Sequence, residues 1–105
     1  DGAFRSWGLC RGGTGAISVT ANIVPGDAAA MFDNFFAGKM DEALKFHYKM
    51  EPLHSLMFIE TNPIPVKTSL AMMGKIGEEF RLPLCPMADA SKDKLKKALK
   101  DYGLI

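Results

Sequence analysis

The sequence predicts the closing portion of a parallel α/β fold, in a chain that is itself mostly α. Two observations carry that expectation. The run Gly12-Gly13-Thr14-Gly15-Ala16-Ile17-Ser18-Val19-Thr20-Ala21-Asn22 is the one segment that reads as a buried strand, and everything after it reads as helix. A glycine-rich helix stop, one strand and then helices make up one unit of a parallel α/β architecture. A parallel strand needs parallel neighbours, and this sequence offers none. We therefore expect the C-terminal piece of a larger barrel.

Bulk properties narrow the classes. The 105 residues are enough for one domain. With 48% hydrophobic and 24% charged residues, the composition is globular and disorder is not indicated. A net charge of +1 gives no basic surface for nucleic acid or membrane. No apolar run approaches the roughly 20 residues needed to cross a bilayer, and no signal-peptide pattern is present. Cys10 and Cys85 have no metal-type spacing and are expected to be buried free thiols.

The elements follow in order. Residues 2–11 read as helix, with Phe4, Trp7 and Cys10 on one stripe. Gly12 and Gly13 end it, because glycine takes the left-handed conformation without steric cost. Residues 16–20 read as strand, rich in β-branched side chains. Alternation puts Ala16, Ser18 and Thr20 on one face and Ile17 and Val19 on the other. In a parallel barrel, Ile17 and Val19 pack outward under helices, while the small polar set faces the interior.

Pro25-Gly26-Asp27 turns into a helix over 28–37, with Asp27 as N-cap, Met31, Phe32, Phe35 and Phe36 on the apolar side, and Gly38 as the stop. Residues 41–60 form the longest helical pattern. Ala43, Phe46, Met50, Leu53 and Met57 recur at alternating intervals of three and four, a packed seam. Pro52 falls inside it, which predicts a kink or a break. Asn62-Pro63-Ile64-Pro65 reads as a rigid extended turn, and Pro65 suits the first turn of a helix from Val66 to Met73 that Gly74 ends. Arg81 to Pro86 reads as extended. Ser91 is expected to cap a last helix to Tyr102, with Leu95, Ala98, Leu99 and Tyr102 on one arc, five lysines opposite, and Gly103 as its stop.

Three blocks carry a family resemblance: Gly15 to Asn22, then Asn62-Pro63-Ile64-Pro65-Val66-Lys67, then Arg81-Leu82-Pro83-Leu84-Cys85-Pro86. In this order and spacing they closely resemble the C-terminal third of the dihydrodipicolinate synthase family. The resemblance covers essentially the whole chain, including the terminal Tyr102-Gly103-Leu104-Ile105. The second block is the specific one; the first alone also fits related pyruvate lyases, such as the N-acetylneuraminate lyase group.

The resemblance implies a (β/α)8 TIM barrel with an added C-terminal helical domain, assembled as a homotetramer. Residues 1–40 are then the end of the barrel, with 16–20 as its last strand, and 41–105 are the helical domain. The implied reaction is a lyase step of lysine biosynthesis, the diaminopimelate pathway. Pyruvate forms a Schiff base on a lysine outside this chain, and the resulting enamine attacks aspartate semialdehyde. No separate cofactor and no metal are implied, and the localisation is cytoplasmic, or plastid for a plant protein. The implied contact from this chain is the backbone carbonyl of Ile17, facing pyruvate; Ser18 and Thr20 have weaker claims. No catalytic side chain falls in this chain, so these 105 residues alone are expected to be inactive. The alternative is a stand-alone helical module that binds a partner or oligomerises through the 43–57 seam without catalysis.

Other features have ordinary readings. Lys67 lacks an apolar surround and reads as a surface or structural lysine. Gly12 to Gly15 follows a helix and precedes a strand, the reverse of a phosphate loop. His47 and His54 are seven apart rather than four, and read as solvated or interface residues rather than metal ligands. Acidic residues interrupt the lysine arc at 92–100, which reads as a solvated face. The seven methionines read as core packing.

Overall fold

The computed structural model describes residues 8–105. Phe4 and Trp7 of the expected first stripe lie outside them. The chain divides into two compact units, Asp1–Ser55 and Leu56–Ile105. The elements are a 3-10 turn at Thr20–Asn22 and four α-helices: α1 (Pro25–Phe36), α2 (Met40–Leu56), α3 (Ile64–Met72) and α4 (Asp89–Tyr102).

In the first unit, residues 8–10 are helical and stop as the glycines predict. Gly12 has φ +93°, its N–H donates to the Leu9 carbonyl at 3.1 Å, and the Gly13 N–H donates to the Gly8 carbonyl at 2.8 Å. This is the paired bonding of a Schellman stop. Leu9 is buried there, whereas Cys10, expected on the apolar stripe, is exposed.

The expected strand at 16–20 is not formed, and the described residues contain no strand. Residues 13–18 are irregular, and a 3-10 turn begins at Thr20. Ladder bonds come from neighbouring strands, and no described segment supplies them. Local bonds take their place. Ser18 Oγ accepts the Ala21 N–H at 3.1 Å, and Asn22 Nδ2 donates to the Val19 carbonyl at 3.0 Å. Such short polar side chains compete with sheet pairing for the backbone. Face alternation is lost with the strand: Ile17 is fully exposed, Val19 is half-buried and Thr20 is completely buried.

Helix α1 starts earlier than expected because Pro25 takes its first position, where a missing N–H costs nothing. Val24 is the N-cap, and Asp27 sits in the first turn. There it suits the positive end of the helix dipole and pairs with Lys49 of α2 at 3.1 Å. Met31 is buried, Phe32 and Phe35 are half-buried, and Phe36 is exposed with its ring edge-on to Phe35. Gly38, at φ +80°, ends α1 by the same paired bonding.

Helix α2 runs unbroken through Pro52 and ends at Leu56, short of the expected Glu60. Pro52 has no N–H for the Tyr48 carbonyl, and the helix stops one turn later. The expected seam is buried at Ala43, Met50, Leu53 and Met57, with Phe46 half-buried. The methionines are mainly interior, though Met40 is exposed.

In the second unit, α3 begins at Ile64, not Val66, with Pro65 in its first turn. Ile64 is helical despite preceding a proline, and the expected extended stretch is instead a tight turn at 61–63, closed by the Ile64 N–H donating to the Thr61 carbonyl at 2.9 Å. The helix is buried at Ile64, Pro65, Val66, Thr68 and Ser69. The two hydroxyls in this apolar setting donate one turn back, Thr68 to the Ile64 carbonyl and Ser69 to the Pro65 carbonyl, each at 2.8 Å. Buried hydroxyls require such partners. Helix α4 begins at Asp89, with Ala88 rather than Ser91 as N-cap, and Glu60 accepts the Ala88 N–H at 3.1 Å. Leu95 and Leu99 are completely buried on the expected arc, each stabilising the fold by about 1.5–3 kcal/mol.

Candidate functional site

The segment Ile17–Asn22 brings together the residues singled out by the sequence. Ile17 is fully exposed in irregular chain. Ser18 is half-buried and holds the turn through its bond from Ala21. Thr20 is completely buried, and its hydroxyl is hydrogen-bonded to Nδ1 of His54 at 2.7 Å.

His54 was expected to be solvated or at an interface, and it is instead a buried residue of the first unit, 4% exposed. A signal for this exists in the sequence: His54 lies four residues after Met50 and three before Met57, so it shares their arc. Thr20 and His54 are 34 positions apart, and their bond ties the turn to the last stretch of α2. Buried polar groups without such a partner are costly, so the bond holds the turn in place.

Residues 17–22 and His54 do not line the apolar cavity of the first unit. That cavity, of about 70 Å³, is lined instead by apolar side chains, among them Leu9, Met31, Phe35 and Ala43. Cys10, a free thiol, is the one titratable side chain among its lining residues.

The remaining candidates are dispersed. His47 is half-buried with its ring edge-on to Tyr48. Lys67 lies over the Phe80 ring, 5.2 Å from its centre, which gives it a structural partner. Cys10 and Cys85 are free thiols, and both are exposed rather than buried as expected. Lys92 of the lysine arc pairs with Glu78 at 2.7 Å. Among the described residues, no group of three or more His, Cys, Asp or Glu is placed to hold a metal ion, and no helix is long and apolar enough to cross a membrane.

Comparison with known proteins decides the family. Residues 3–102 match the family model described as the dihydrodipicolinate synthetase family. The chain belongs to that family. It is 62% identical over 97 residues to a 4-hydroxy-tetrahydrodipicolinate synthase of Thermodesulfovibrio yellowstonii, covering 92% of this chain and 33% of the relative. The dihydrodipicolinate synthase structure from Aquifex aeolicus matches with a TM-score of 0.95 at 38% identity, over 99% of this chain and 36% of that one. A chloride-inhibited dihydrodipicolinate synthase from Acinetobacter baumannii, solved in complex with pyruvate, matches with a TM-score of 0.85 at 42% identity, over 90% of this chain and 32% of that one.

The chain thus spans about a third of the length of the family members it matches. Of the three blocks, 15–22 forms the irregular segment and 3-10 turn, 62–67 opens α3, and 81–86 is irregular chain ahead of α4. The described part of the match is helical apart from turns and irregular segments.

Proposed function

We propose that these residues are the C-terminal third of a Schiff-base lyase condensing pyruvate with L-aspartate-4-semialdehyde to 4-hydroxy-tetrahydrodipicolinate. In this reading residues 1–40 complete a TIM barrel and 41–105 form its helical domain. The observation that carries it is the family match over residues 3–102. The pyruvate complex of the Acinetobacter relative supports the substrate class.

The reaction divides the work between this chain and the rest of the enzyme. A lysine amine, outside these residues, adds to C2 of pyruvate, and water leaves as the imine forms. Loss of a methyl proton gives the enamine, whose carbon bonds to the aldehyde carbon of the second substrate. The aldehyde oxygen takes a proton. Attack of the substrate's own amine on C2 then closes the ring and frees the lysine.

Ile17 contributes its carbonyl oxygen. A carbonyl only accepts hydrogen bonds, so its partner is the N–H of the lysine ammonium or of the protonated imine. A fixed acceptor at that point stabilises positive charge where it develops. Ser18 and Thr20 have lesser claims to touch substrate, and the Thr20 hydroxyl is already bonded to His54. The enzyme needs no separate cofactor, acts as a homo-oligomer and works in the cytoplasm, or in the plastid of a plant.

Borohydride reduction with pyruvate tests this reading. The complete enzyme should gain one pyruvyl mass on a lysine outside residues 1–105, while these residues alone should gain none. No adduct on the complete enzyme would overturn it. The reading of a self-associating helical module draws on Met40, Leu44 and Tyr48, exposed at every fourth position along α2. It would prevail if these residues formed a defined oligomer on sedimentation and the complete enzyme took no adduct.

A further inference from the structure

We draw no further inference here: the strongest candidate, the exposed apolar stripe of Met40, Leu44 and Tyr48 along α2 beside the small apolar cavity of the first unit, belongs to a chain that spans about a third of its relatives' length, and nothing in the structure shows what covers it.

Discussion

The side chain of Glu60 accepts the backbone N–H of Ala88 at 3.1 Å across 28 positions of sequence, and so holds the entry to α4. No side chain next to that helix caps it. Glu60→Ala should therefore fray the first turn of α4 and cost about 1 kcal/mol, the usual value of a cap. Urea unfolding would give the loss. Hydrogen exchange at the amides of residues 88–92 should rise while that of Leu99 does not. Equal exchange in Glu60→Ala and the parent would show that the cap is not needed.

Two glycines of the first unit should respond differently to a side chain. Gly38 has φ +80° and open space around it, so Gly38→Val meets only backbone strain, about 1–3 kcal/mol. Gly38→Asn should cost less, because asparagine tolerates the left-handed region. At Gly13 the obstacle is an atom: an added Cβ would lie 2.7 Å from the Gly8 carbonyl oxygen. Gly13→Ala should break the paired stop and loosen the chain leading to Ile17. Thermal melts of the three variants check the order.

Burial sorts the leucines of the second unit. Leu99 is completely buried on α4, and Leu99→Ala should cost about 2–5 kcal/mol. Leu82 is 90% exposed, and Leu82→Ala should stay within about 0.5 kcal/mol of the parent. Denaturant midpoints at unchanged slope would measure both.

Lys67 sits 5.2 Å from the centre of the Phe80 ring, a structural placement. Peptide mapping after borohydride reduction with pyruvate should find no pyruvyl mass on it. A modified Lys67 would move the Schiff base into this chain. Phe80→Leu should cost about 0.5–1 kcal/mol through loss of the cation–ring contact, read by the same denaturant titration.

Much of this architecture was legible as short-range chemistry. The stops at Gly12, Gly38, Gly74 and Gly103 all have positive φ, since that demand is local and glycine meets it cheaply. The apolar intervals along α2 and α4 placed Met50, Leu53, Leu95 and Leu99 in the interior, because helical periodicity repeats within a turn. The three motif blocks pointed to the family without any geometry.

Tertiary structure decided whatever depends on a partner distant in sequence. A strand is made by its neighbours, so β-branched residues at 16–20 could not become one without a ladder. Asp27 and Ser91 have the chemistry of caps, but Pro25 started one helix earlier and Glu60 reached the start of the other from afar. Thr20 and His54 showed nothing in sequence that paired them; only the folding of the first unit carried a hydroxyl and an imidazole, 34 positions apart, into one buried hydrogen bond.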